Sequence, residues 1–220
     1  MTTLKEVQKN PTVLEFIRQA EKALKTLDYT DHGLRHAKLV AARARTIARE
    51  MELSKREQEL SAIAGFCHDL GNFLSRTYHN YLGAVIFQQI FANNFPPREL
   101  AVVMQAIANH DRDEMKFVSR VSAVLVLADK SHVERSRVTI RDMTKIREDI
   151  HNKVNYAVKS SRLGMNKRKK FITLSLKVDT KFMAPMEYFE IFTERMVFCR
   201  KAAKYLGYKF GLVINNFKLL

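Results

Sequence analysis

Thiols are scarce in this chain: its two cysteines, Cys67 and Cys199, lie far apart in apolar settings, with no CxxC spacing. That excludes a disulfide framework and a thiolate zinc site, and leaves the expectation of two buried thiols in a reducing compartment. Helix breakers are also few, seven Gly and four Pro in 220 residues, which excludes collagen-like and Pro/Gly-rich low-complexity chains. No stretch reaches about 18 uncharged apolar residues, and Met1 to Arg18 carries Lys5, Glu6, Lys9 and Glu15 where a secretory leader needs an apolar core. The expectation is therefore a cytoplasmic protein with no membrane partner. Carboxylates are the minority charge, 23 Asp and Glu against 38 Lys and Arg, for a net charge of +15. Such a surplus favours an anionic partner, whether a phosphorylated small molecule or nucleic acid, over an uncharged one; a merely solvated basic surface is the alternative.

Helical periodicity accounts for most of the chain. Asn10-Pro11 reads as an N-cap with Pro at the first helical position, opening a helix to about Leu27. A second runs from Leu34 to about Glu52 on an alanine-rich face. Ser54 and Glu57 form a capping box for a third, which Gly71 is expected to close, placing His68 and Asp69 in its last turn. Further helices fit Tyr78 to Asn93, Leu100 to His110 and Phe117 to Asp129, with Pro96-Pro97 as punctuation. Beyond about residue 140 the period changes. Ile172, Leu174, Leu176 and Val178 alternate with polar residues as in a half-buried strand, as do Phe210, Leu212 and Ile214, and Met186 to Leu206 is helical between them. The fold class is mainly α: a helical domain over 1–140 and a small α+β extension over 141–220 packed on it. The cluster Lys167-Arg168-Lys169-Lys170 reads as a solvated turn and Phe171 as core, so nucleic acid stays open without a motif to indicate it.

The informative anomalies are polar. His68-Asp69 follows a helix whose residues from Ala62 to Cys67 are all apolar or small, and Asp129 closes the apolar run from Val121 to Ala128. A carboxylate stranded there is costly unless it is paired, and a metal ion accepts imidazole and carboxylate together while offsetting the charge. His36 stands early on the alanine-rich helix; His79 precedes Leu82-Gly83-Ala84, and His110 ends the run from Val102 to Ala108. A hydrogen-bonded set of core polar groups is the alternative reading for these residues. His32 has either a substrate or a structural role. His132 and His151, in charged surroundings, are expected to be solvated, and Cys67 to be core packing. Lys130, Arg135 and Arg137 are placed to clamp phosphate, or else to form plain basic surface.

The ordered set His36, His68-Asp69 and Asp129 resembles the HD superfamily of metal-dependent phosphohydrolases, over roughly residues 28 to 138. His79 and His110 look like the extra histidines of its two-metal subgroup. The resemblance implies a helical bundle in which Asp69 bridges two ions and orients the attacking water. His36, His68 and Asp129 would complete one site, and His79 and His110 the other. Two such ions, about 3.5 to 4 Å apart, would acidify that water and neutralise phosphoryl oxygens. The metal stays open among Mn, Fe, Co, Ni, Zn and Mg, as do the number of ions and the oligomeric state, a homo-oligomer included.

The expected activity is hydrolysis of a phosphate ester or anhydride of a nucleotide-like substrate, with Asp69 catalytic and Lys130, Arg135 and His32 binding substrate. Two alternatives accompany it: a di-iron oxygenase, since the same ligands serve oxidative chemistry in a minority of the superfamily, and a non-catalytic nucleotide- or RNA-binding module. Departures narrow the field. Asn72 stands where many members have Lys, and no GYP motif follows, against a cyclic-dinucleotide phosphodiesterase; the doublet also lacks the Glu-Asp pair typical of guanosine-tetraphosphate hydrolases.

Overall fold

Two helices are buried on every side, and they explain where the acidic residues end up. The computed structural model describes residues 1–112 and 116–219. In it α4 (Lys55–Cys67) is buried at every residue from Leu60 onward, and α7 (Arg120–Lys130) from Val121 onward. A helix with no solvated face belongs at the centre of a bundle. Around this pair stand α2 (Pro11–Thr26), α3 (Leu34–Glu50), α5 (His79–Phe91) and α6 (Pro97–Asn109), with the short α1 (Leu4–Val7) at one end. Helix α3 turns Ala37, Val40, Ala41, Ala44, Ile47 and Ala48 inward. Gly65 of α4 meets that stripe, where an added Cβ would come within 3.0 Å of the Ala41 Cα. Small residues thus bring two backbones together and fix the height of His36 relative to His68.

The third predicted helix ends earlier than its glycine suggested. Helix α4 stops at Cys67 with His68 as its cap, and the chain continues as a 3-10 turn, Leu70–Phe73. Gly71 has a different duty: a Cβ there would fall 2.1 Å from the His79 carbonyl oxygen and 2.7 Å from the Gly83 nitrogen. The glycine pair lets the turn after Asp69 lie directly on α5, which brings His79 beside the doublet.

The C-terminal region is a βαβ unit with additions. Strand β2 (Phe171–Val178) pairs in parallel with β3 (Lys209–Ile214), Leu174 opposite Leu212, and α10 (Pro185–Tyr205) makes the crossover. Strand β1 (Val158–Asn166) adds antiparallel to β2 and the short β4 (Phe217–Lys218) to β3, so the sheet order is β1-β2-β3-β4. The basic cluster at 167–170 forms the β1-β2 turn. Periodicity did not reveal β1, which lies at the sheet edge with most of its residues exposed, nor the short helices α8 (Met143–Glu148) and α9 (Ile150–Ala157). Helix α10 packs on both α7 and β3, so the extension rests against a central helix of the bundle. Among the described residues, no helix is long and apolar enough to cross a membrane. Cys67 and Cys199 are both buried and free.

Candidate metal centre

The C-terminal ends of α4, α6 and α7 and the N-terminal turns of α3 and α5 meet at one buried point. His36 comes from the first turn of α3, His68 and Asp69 from the end of α4, His79 from the start of α5, His110 from the cap of α6 and Asp129 from the end of α7. The four imidazoles are at most 1% exposed and the two carboxylate residues 7%.

Three of the rings are held alike. Nδ1 of His68 donates to the Gly65 carbonyl (2.9 Å), Nδ1 of His79 to the Arg76 carbonyl (2.8 Å) and Nδ1 of His110 to the Ile107 carbonyl (2.6 Å). Each bond reaches three residues back, to a backbone carbonyl near the end of a helix or turn. With Nδ1 committed to a carbonyl, each ring turns Nε2 toward the centre, where it is a lone pair whenever the ring is neutral.

Asp69 receives these nitrogens on two sides. Its Oδ2 lies 3.1 Å from His68 Nε2 and 3.6 Å from His36 Nε2, while its Oδ1 lies 3.5 Å from His79 Nε2 and 3.9 Å from His110 Nε2. Asp129 Oδ1 joins the first group, 3.4 Å from His36 Nε2 and 3.7 Å from His68 Nε2. Ligand atoms of His36, His68 and Asp69 lie within 4.8 Å of one another, as do those of His68, His110 and Asp129 and those of Asp69, His79 and His110.

Side chains alone leave this arrangement unbalanced. His79 Nε2 and His110 Nε2 stand 3.1 Å apart although both rings spend their protons on backbone carbonyls, so two lone pairs face each other, that of His79 also meeting Arg76 Nη1 at 3.2 Å. Asp69 Oδ2 is buried without a hydrogen-bond partner, a state that costs about 1 to 3 kcal/mol or more for a charged group. Burial by itself would push His68 down, but Asp69 and Asp129 outweigh it and raise its pKa to about 10. Burial, followed by the charges of His68 and His79, takes His110 down to about 3. Burial opposes ionisation of both acids, yet His68 holds Asp69, and Lys130 with His36 and His68 holds Asp129, well below the ordinary carboxylate range. A divalent cation meets every one of these demands. Atoms bound at about 2.0 to 2.2 Å around one ion are themselves a little over 3 Å apart, the spacing seen here, so the residues present fit a metal.

A surrounding layer fixes these six side chains, and part of it was not legible beforehand. His132, expected to be solvated, is 2% exposed, and its Nδ1 sits 2.9 Å from Nδ1 of His36. The turn after α7 swings it inward, away from its charged sequence neighbours. Its Nε2 faces Glu134 Oε1 at 3.5 Å, so a proton on His36 Nδ1 has an acceptor that is itself oriented by a carboxylate. Asn72, noted only as a departure, donates through Nδ2 to Asp69 Oδ1 (2.7 Å) and accepts from Arg76 Nη1 (3.0 Å). Asp111 lies 3.6 Å from His79 Nε2 and 2.5 Å from Lys130 Nζ; the signal for it was available, since His110-Asp111 is a second His-Asp doublet.

The expected phosphate contacts divide. Lys130 is at the centre, but its ammonium is held by Asp111 and by Asp129 Oδ2 (3.2 Å). His32 lies at the rim, its ring edge-on to His36, with Nδ1 donating to the Thr30 carbonyl and Nε2 3.2 Å from the Arg137 guanidinium. Arg137 is buried and donates to the His132 and Asp31 carbonyls. The structure does not bring Arg135 to the cluster: it turns toward the C-terminal region, donating to the Tyr156 carbonyl (2.7 Å) with its guanidinium over that residue's ring. His151 is exposed, as expected.

About 10 Å³ stays open beside Asp69, His79, His110 and Asp129, lined also by His32, Arg76 and Arg195. The same three residues border a cleft of about 810 Å³ between the 27–32 loop and α8, α9 and α10. No curated protein matches the chain. Residues 33–134, which carry all six of these side chains, match the family model of the HD domain.

Proposed function

We propose that this protein is a metal-dependent phosphohydrolase that binds two divalent ions and cleaves a phosphate ester or anhydride of a nucleotide-like substrate. The observation that carries the reading is Asp69, whose two oxygens face two separate groups of imidazole lone pairs. A single ion would need only one of those groups. A bound divalent cation would supply Lewis-acid charge for phosphoryl oxygens and lower the pKa of water.

The protein's own residues do the rest. Asp69 would be a ligand on both sides, and Asn72, donating to its Oδ1, keeps the carboxylate from rotating. Nδ1 of His68, His79 and His110 donates to the Gly65, Arg76 and Ile107 carbonyls, which aims each Nε2 at the centre; a cation there would displace the second proton that Asp69 and Asp129 favour on His68. Burial keeps bulk water from screening these charges. Lys130, pinned between Asp111 and Asp129, is a fixed positive charge at the wall where a phosphoryl group would enter. The large cleft leads away from that wall and has room for the organic part of a nucleotide.

The test is a screen of Mn-, Fe-, Co-, Ni-, Zn- and Mg-loaded protein over nucleotides, dinucleoside polyphosphates and phosphomonoesters, with Asp69→Ala as the control. The expected result is turnover of at least one nucleotide class that falls by about a hundredfold or more in the variant. Turnover no greater than that of the variant with every metal would overturn the reading.

A further inference from the structure

Helix α10, outside the segment that matches the HD domain, reaches the centre through one side chain. We propose that Arg195 binds the phosphoryl group of the substrate, so that the C-terminal element completes the binding site. The inference rests on the hydrolase reading for the nature of the anion and deepens it by naming the residue that recognises it.

Four cationic side chains line the small cavity, and three are already engaged. Lys130 is held by Asp111 and Asp129, Arg76 by Asn72 and Asp111, and Arg137 by two backbone carbonyls. Arg195 alone has no carboxylate or carbonyl acceptor among the described residues; its guanidinium lies over the Phe192 ring, 4.8 Å from the centroid. Phe192 is itself buried and stacked on Tyr188, so the guanidinium rests on a fixed platform with its donors uncommitted.

Its setting is unfavourable without an anion. Arg195 and Arg137 line the same small cavity, and after burial the charge of Arg195 is the largest influence holding Arg137 below the ordinary guanidinium range. Half-buried positive charge held among other cations is retained where an anion offsets it, and a guanidinium fork suits phosphate oxygens. Position agrees, because Arg195 shares with His32 and Arg76 the border between the metal cavity and the 810 Å³ cleft. A phosphoryl group at the ions with its organic part in the cleft must cross that border.

Equilibrium binding of inorganic phosphate to Mn-loaded protein tests this without turnover, by calorimetry on wild type, Arg195→Ala, Arg195→Lys and, as a charge control on the same helix, Lys201→Ala. The expected result is an affinity about ten- to a hundredfold weaker in Arg195→Ala, intermediate in Arg195→Lys and within twofold of wild type in Lys201→Ala, with unchanged manganese content. Arg195→Ala or Arg195→Lys binding phosphate as tightly as wild type at equal metal content would overturn it, as would a wild type that binds no phosphate at millimolar concentration. Should Arg195→Ala fail to fold, Arg195→Lys decides. Arg195-dependent binding without hydrolysis of any substrate would sink the hydrolase reading and leave this inference standing. Hydrolysis with equal kcat/KM in wild type and Arg195→Ala would do the reverse.

Discussion

At the level of single residues, the centre was legible wherever a polar side chain interrupted an apolar helix. His68-Asp69 and Asp129 stood out because α4 and α7 offer no polar face to excuse them, and the structure gathers them with His36, His79 and His110. His132 was missed because its sequence neighbours Lys130, Glu134 and Arg135 are charged, while its direction is set by a turn that local sequence does not specify. It now supports a specific expectation. His132→Leu removes the acceptor that keeps His36 Nδ1 protonated and should weaken metal binding by about ten- to a hundredfold while sparing the fold, measured by competition with a fluorescent chelator. Unchanged metal affinity would reduce His132 to core packing. Arg135 teaches the converse: proximity in sequence to Asp129 did not carry its guanidinium to the site, since Tyr156 offers both a carbonyl and a ring.

At the level of elements, long periodic segments were readable and short or edge ones were not. Helices α2 to α7 and α10 follow from apolar spacing, with capping residues marking the starts of α2 and α4. Strand β1 escaped because an edge strand with most residues exposed carries little alternation, and α8 and α9 because six and eight residues hold too few turns to display a period. Gly71 shows how a right residue can carry a wrong reason: it permits contact between the post-doublet turn and α5 instead of ending α4. Gly71→Ala must therefore push His79 away from Asp69. We expect a loss of about 1 to 3 kcal/mol in chemical denaturation together with weaker metal retention, whereas Gly164→Ala, whose Cβ would meet its nearest neighbour at 3.9 Å, should bind metal like wild type. Full metal retention by Gly71→Ala would mean that α5 can shift without cost to the centre.

For the whole molecule, the proposed cations would tie stability to metal through the buried carboxylates Asp69 and Asp129. A ligand at a thousand times its Kd stabilises the native state by about 4 kcal/mol, and each kcal/mol moves the midpoint of a domain this size by about 2 to 4 °C. Chelation should thus lower Tm by roughly 8 to 16 °C, and readdition of Mn should restore it in wild type but far less in Asp69→Ala. A chelator-insensitive Tm would show that side chains alone balance the centre.

The account stands or falls on cations held on both sides of Asp69, and anomalous diffraction from Mn-loaded crystals measures that directly. It predicts two peaks, one among Asp69 Oδ2, His36, His68 and Asp129 and one among Asp69 Oδ1, His79 and His110. Peaks confined to surface carboxylates, with none between these six side chains, would contradict it.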